Sequence, residues 1–308
     1  MCMRFIRNKD VAIPSRRRDA HKGQSGRVLI IGGSPSYVGA VALAGIAALR
    51  GGCDWVTIAA PAKAGWAVNC LSPDLVTVKL PGDSFCAAQF PLLRKHINAH
   101  TAILLGNGMG VTAGAKSLCK KVLLHCRRAG KPAVVDADAL KMVSLSDLGY
   151  GILTPHPKEL EHLLRNSGIS PANIKRVNTA SPIEKKASLV HYLLFSSKSS
   201  GKGKAKRAKE SPSEKEVIIL LKGPIDAVIS PSSIAYNRTG NPGMAKAGTG
   251  DVLAGLCASF IAQGLFPRQA AINACYFAGL AGDILLKKRK GFTYLASDLA
   301  EEIGKLLR

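Results

Sequence analysis

Short runs of aliphatic and β-branched residues alternate with helical patterns along nearly all of this 308-residue chain, and most runs end in a glycine-rich or polar turn. Continuous apolar runs of four or five residues are the pattern of strands buried on both faces. Their alternation with helices is the signature of βα units around a mostly parallel sheet. Strands are expected at 28–31, 55–58, 75–78, 102–105, 133–135 and 152–153. Three more, at 217–221, 227–229 and 234–236, are separated by short Gly/Pro/Ser turns and read as a small antiparallel edge. Helices are expected at 37–50, 112–128, 157–166 and 181–195, the last opened by Ser181-Pro182-Ile183-Glu184, which has the form of a capping box with proline at the first helical position. Helices at 250–264, 267–286 and 297–307 would form a helical C-terminal layer. The expected architecture is α/β: a central mostly parallel sheet flanked by helices, as one domain over 16–308 after an N-terminal segment, 1–15.

Composition narrows the class. No apolar run approaches the ~20 residues of a bilayer helix, and MCMRFIRNKD lacks the apolar stretch of a signal peptide, so a soluble cytoplasmic protein is expected. The eight cysteines form neither Cys-x-x-Cys pairs nor zinc-type clusters, and read as buried free thiols in a reducing compartment. The net charge of +23 invites a nucleic-acid hypothesis. However, +6 over residues 1–27, +4 over 198–216 and +4 over 287–290 account for 14 of those 23 charges, and an aromatic content of 5% leaves few platforms for stacking bases. A solvated basic surface is the simpler reading. Residues 196–216 are polar, basic and of low complexity, and read as a flexible surface insertion.

The candidate site lies at strand ends. The turn Gly32-Gly33-Ser34-Pro35-Ser36-Tyr37-Val38-Gly39-Ala40 follows the first strand, and Gly106-Asn107-Gly108-Met109-Gly110 follows the fourth. Neither has the spacing of a dinucleotide fingerprint or a P-loop. The next two strands end at Asp136-Ala137-Asp138 and at Thr154-Pro155-His156-Pro157-Lys158-Glu159. In a parallel sheet these ends share one edge, where open α/β folds bind ligands. Asp138 is equally readable as a helix cap, and His156 between two prolines has a fixed backbone. The most specific signal is Asn241-Pro242-Gly243-Met244-Ala245-Lys246-Ala247-Gly248-Thr249-Gly250-Asp251, which runs into an apolar helical pattern. Glycines there expose first-turn N–H groups suited to a transferring phosphoryl group, and Asp251 is placed to take a proton from a substrate hydroxyl as general base. The plainer alternative is an acidic residue stabilising a helix dipole.

Taken in order, Arg18 to Gly23, Gly26 to Ser34, Val135 to Leu140, Leu153 to Glu159, Leu221 to Pro224 and Asn241 to Leu253 resemble the ADP/ATP-dependent NAD(P)H-hydrate dehydratases. The resemblance implies a ribokinase-like fold and repair of hydrated NADH or NADPH (NADHX, NADPHX), in which the ring hydroxyl is phosphorylated and phosphate then leaves. Carried over by motif, Ala40, Gly106, Gly108, Gly110, His156 and Asp251 would line the hydrated nicotinamide. Lys222, Gly223, Pro224, Ile225, Asp226, Gly248, Thr249 and Gly250 would contact the nucleotide. Mg²⁺ is implied, with Glu159 as a contact through water, and ADP is the favoured donor over ATP. A homo-oligomer is implied too. Many members carry a preceding epimerase domain; none fits before the first strand, so a separate epimerase is expected. The chain departs from the family at Asn107 and Met109, where proline and leucine are common, at Lys246-Ala247-Gly248-Thr249, where Gly-Gly often stands ahead of the final Gly-Asp, and at Phe277-Ala278, where a histidine is often found. Two other readings remain: a small-molecule kinase of the hydroxymethylpyrimidine or thiazole-alcohol type, using the same Gly-x-Gly-Asp chemistry, and a nucleic-acid-binding protein on the same scaffold.

Overall fold

The computed structural model describes residues 3–16, 18–196 and 216–307. Nine strands, β1 (Arg27–Ile31), β2 (Trp55–Pro61), β3 (Val76–Leu80), β4 (Ala102–Leu105), β5 (Ala133–Val135), β6 (Gly151–Leu153), β7 (Val217–Leu221), β8 (Asp226–Ile229) and β9 (Ile234–Asn237), form one sheet. Their order is β3-β2-β1-β4-β5-β6-β7-β8-β9. The first seven strands run parallel, and β8 pairs antiparallel with both β7 and β9, as the short turns between them require. Because β1 pairs with both β2 and β4, the strand order reverses at β1, a switch point beyond whose carboxyl ends ligands of open α/β folds bind.

The period-two geometry of a strand divides each apolar run between two cores. Val28, Ile30, Ile58, Leu104, Val134, Ile152 and Ile218 face one cluster, which is covered by residues of α1 (Val38–Arg50), α2 (Ala62–Leu71), α8 (Thr249–Ala262), α9 (Pro267–Lys288) and α10 (Ala296–Leu306). Leu29, Ile31, Ile103, Leu105, Val135, Leu153 and Ile219 face the other, covered by α3 (Phe90–Ala99), α4 (Ala113–Arg128), α5 (Pro157–Asn166), α6 (Pro171–Thr179) and α7 (Ile183–His191). Burial on both faces explains why the runs lack polar alternation. The tightest helix contact is between α1 and α8: a Cβ on Gly255 would stand 2.1 Å from the Ala44 carbonyl oxygen. The small residues of α1 therefore serve the α8 crossing as well as the sheet, and they fix where α8 begins.

Several sequence expectations are revised. Helices α2, α3 and α6 are additional; α2, AKAGWAVNCL, has no clean polar face, and the Phe90-Pro91 start of α3 reads as a break although proline suits a first helical turn. The proposed capping box at Ser181 does not form: α7 begins at Ile183 with Pro182 at its cap and no side-chain cap bond, and a π-helical turn, Tyr192–Ser196, follows it. Of the low-complexity stretch 196–216, residues 197–215 lie outside the described residues. The N-terminal segment is tied to the domain, with the Ile6 amide donating to the Tyr236 carbonyl and Ala12 exchanging hydrogen bonds with the Asn273 side chain. All seven described cysteines are free, but Cys70 and Cys86 are exposed rather than buried. Among the described residues α9, at 22 residues, is long and apolar enough to cross a membrane; two-thirds of its apolar window is buried inside the fold.

Steric closeness at Gly255 gives a direct test. Gly255→Ala should cost about 1–3 kcal/mol in chemical denaturation, because the backbone of α1 cannot yield as a side chain can. Gly39→Ala, where a Cβ meets nothing within 4 Å, should be neutral or stabilise by up to ~1 kcal/mol.

Candidate active site

At the switch point the strand-end turns touch backbone to backbone. A Cβ on Gly32 would lie 2.4 Å from the Asn107 carbonyl oxygen, and one on Gly106, whose φ is +123°, 2.1 Å from the Asp136 carbonyl oxygen. The Gly33 amide donates to the Asn107 carbonyl oxygen at 2.7 Å. Ala137 completes the β5 turn with φ +51°, a left-handed conformation that costs a non-glycine residue energy and is found where surrounding structure enforces it. The turns of β1, β4 and β5 thus form one rigid block.

Above this block a polar network links seven side chains from six elements. The Asn107 amide nitrogen donates to Asp251 Oδ1 at 2.7 Å and to Asp136 Oδ2 at 2.9 Å. Asp136 Oδ1 accepts from Thr154 Oγ1 at 2.6 Å and from Lys222 Nζ at 2.9 Å. Lys222 Nζ lies 3.7 Å from Glu159 Oε2, and Glu159 Oε1 lies 3.3 Å from His156 Nε2. His156 is the N-cap of α5: its Nδ1 accepts from the Lys158 and Glu159 amides, while Glu159 Oε2 accepts from the His156 amide.

Burial sets the electrostatics. It pushes the Asp251 carboxyl up to about 7; the Asn107 hydrogen bond opposes the rise, and the nearby Asp136 charge adds to it. Burial alone would lower the Lys222 ammonium, yet Asp136 and Glu159 outweigh it and the net shift is upward, so Lys222 stays charged. Burial raises Glu159 and lowers His156, leaving the imidazole neutral near pH 7. An acid poised near neutrality, beside a buried cation and the first turn of a helix, is suited to accept a proton while charge develops nearby.

The structure brings together most of the residues singled out in the sequence. Asp251 lies in the first turn of α8 behind Gly248, whose left-handed φ of +94° and tight fit against Leu43 and Ala296 only glycine satisfies. Gly250 faces Lys222, with 3.6 Å from its would-be Cβ to Nζ. Ala40 packs against Gly108, and the Gly110 amide donates to Asp138 Oδ2 at 2.9 Å. Asp138 therefore braces the β4 turn instead of capping a helix. Gly223, Pro224 and Ile225 form the turn between β7 and β8, closed by Asp226, which accepts from the Gly223 amide and the Asn237 side chain and is pushed up to about 6 by burial. The Thr249 hydroxyl is occupied by the Met244 and Lys246 carbonyls. Lys246 has a local task, donating to the Phe292 and Tyr294 carbonyls and pinning the loop before α8. Sequence reasoning missed Asn107, Asp136 and Thr154 as members of the network. The available signal was a polar side chain closing each of three otherwise apolar strands. Among the described residues no group of three or more His, Cys, Asp or Glu side chains is arranged to hold a metal ion alone.

The profile of the NAD(P)H-hydrate dehydratases matches residues 28–305. The chain belongs to the NAD(P)H-hydrate dehydratase family. It is 31% identical over 314 residues to the ADP-dependent (S)-NAD(P)H-hydrate dehydratase of Cenarchaeum symbiosum, covering 100% of this chain and 98% of that one. It is 34% identical over 298 residues to the Bifunctional NAD(P)H-hydrate repair enzyme Nnr of Methanothermobacter thermautotrophicus, covering 96% of this chain. The chain spans about half the length of such bifunctional relatives, 52% in that case. The ADP/ATP-dependent NAD(P)H-hydrate dehydratase of Bacillus subtilis co-crystallized with ATP/Mg²⁺ superposes with a TM-score of 0.73, at 24% identity and 100% coverage of both chains. The fold is ribokinase-like, as expected from the sequence.

Dehydratase-family membership leaves the energetics of Asp251 to be measured. Its folded pKa lies above the ordinary carboxylate value of 3.8, so the folded state binds more protons between about pH 4 and pH 7 and stability falls as pH rises through that window. Asp251→Asn should therefore stabilise the fold at pH 8 by on the order of 1–3 kcal/mol and by much less at pH 4, as read by thermal unfolding at both pH values.

Proposed function

We propose that this chain catalyses the nucleotide-dependent dehydration of (S)-NADHX and (S)-NADPHX, returning NADH and NADPH. The observation that carries the reading is Asp251, a partly buried carboxyl that hydrogen-bonds to Asn107 and is raised to about 7 at the glycine-led start of α8. The substrate ring would lie over Ala40, the Gly106-to-Gly110 turn and His156, with its hydroxyl toward Asp251. The nucleotide would lie along Lys222, Gly223, Pro224, Ile225 and Asp226, with its terminal phosphate at the Gly248-Thr249-Gly250 amides. Asp251 takes the hydroxyl proton as the oxygen bonds to the terminal phosphorus and the phosphoanhydride bond breaks. Inorganic phosphate then leaves the ring carbon, a proton leaves the adjacent carbon and the double bond returns. ADP would yield AMP; ATP would yield ADP.

First-turn amides of α8 and the Lys222 ammonium would meet the negative charge of the transferring group. Glu159 and its neighbours offer only one or two carboxylates, a donor set that suits a Mg²⁺ ion held mainly by nucleotide phosphates and water, with Glu159 reaching it through water. When bound, that ion supplies charge neutralisation on the phosphates. ADP as the preferred donor is supported by similarity to the C. symbiosum relative, which is named as ADP-dependent. A cytoplasmic location, a homo-oligomer and a separate epimerase acting on the same substrate complete the proposal.

Purified protein incubated with hydrated NADH, Mg²⁺ and either ADP or ATP should restore near-ultraviolet absorbance only with nucleotide, and release phosphate in step. Asp251→Asn should reduce turnover about 10²-fold or more with the fold intact. A stable phosphorylated product with no recovered absorbance would instead establish a small-molecule kinase.

A further inference from the structure

The Asn107 side chain is fully buried, and its two amide hydrogens are both spent on carboxylates, one on Asp251 and one on Asp136. Its oxygen Oδ1, also buried, has no hydrogen-bond partner. An amide flip would place that oxygen against two carboxylates, so the chemistry fixes the orientation. A buried acceptor left unpaired works against stability, and the compensation lies on the donor side. We propose that Asn107 is a positioning residue that keeps the Asp251 carboxylate available as a base, by donating one amide hydrogen to it while holding the Asp136 carboxylate with the other. The proposal rests on the assignment of Asp251 as the base.

The groups facing Asp251 are Asn107 from the β4 turn, Asp136 from the end of β5, Glu159 from α5 and Lys222 from the end of β7. Asp136 and Glu159 oppose ionisation of Asp251, whereas Lys222 and Asn107 favour it. Lys222 is committed to Asp136 at 2.9 Å, which leaves Asn107 as the group in direct hydrogen-bond contact with Asp251. Because Asn107 is neutral, it favours the carboxylate without fixing a counter-charge that would hold the proton-accepting oxygen in a permanent ion pair. Removing its N–H groups withdraws a donor from Asp251 and leaves two carboxylates with nothing between them. Both changes push the Asp251 proton affinity upward.

The first test uses the unmodified full chain. The Asn107 side-chain amide resonance, assigned in the unmodified chain by through-bond correlation to its own backbone, should shift with pH with a midpoint near 7, and the titration should vanish in Asp251→Asn. The second test is the pH dependence of turnover. In Asn107→Ala and in the isosteric Asn107→Asp, the acid limb should move up by about one pH unit, a tenfold loss below the limb recovered at higher pH. An amide resonance that stays flat from pH 5 to 9 would overturn the proposal, as would a folded variant that keeps the wild-type limb or loses turnover equally at every pH. Should Asp251→Asn retain full turnover, the base assignment itself fails. If Asp251→Asn is inactive while the limb does not move, only the role of Asn107 fails. Where neither Asn107 variant folds, the amide titration of the unmodified chain decides.

Discussion

A lysine ammonium buried at the end of a parallel sheet is tolerable only when opposite charges meet it, and Lys222 meets Asp136 directly and Glu159 at a longer distance. The three side chains come from the ends of β7 and β5 and from the start of α5, so their pairing requires the sheet register to be correct across several strands. Asn107 then joins Asp136 Oδ2 to Asp251, and Thr154 donates to Asp136 Oδ1, the same oxygen that Lys222 holds. Removing any one member would strand a buried charge or donor. The network thus ties the N-terminal end of α8 to the central strands, while the α1–α8 contact at Gly255 holds the helix from the other side.

Such an arrangement suits a reaction that is half phosphoryl transfer and half elimination. In the transfer, a poised base and a set of oriented N–H groups are needed at one point, and the start of α8 supplies both. On the proposed mechanism, dehydration would follow once the hydroxyl has become phosphate, so the protein would need no second strong acid to expel water. A kinase-like site would in that way carry out a net lyase reaction. Pairing the Lys222 cation to Asp136 also fixes its position, and in the proposed reaction it would face phosphate oxygens without reorganisation.

Much of this was legible in the sequence because burial on both faces leaves a strong signal. The nine apolar runs marked the strands, and the Gly248-Thr249-Gly250-Asp251 motif marked the start of α8. The helices that escaped notice, α2 and α6 among them, are short or lack a clean polar face, and their placement is decided by packing against the sheet. Ser181 looked like a cap because its side-chain type and spacing were right, yet the chain direction at Pro182 sends the helix off one residue later. Asn107 was visible only as a departure from the common family turn. Its meaning depends on Asp251, 144 residues away in sequence, and no local pattern reports a contact of that kind. Asp136 and Thr154 were hidden for the same reason: a polar residue at a strand end is a turn until its partners are known.

The fate of the substrate oxygen tests the central claim most directly. Hydrated NADH carrying ¹⁸O in the ring hydroxyl should be turned over with unlabelled nucleotide in unlabelled water, and the released phosphate read by the ³¹P isotope shift. Phosphorylation by the Asp251 site followed by elimination predicts one ¹⁸O in each phosphate. Unlabelled phosphate, with the isotope recovered in water, would contradict it.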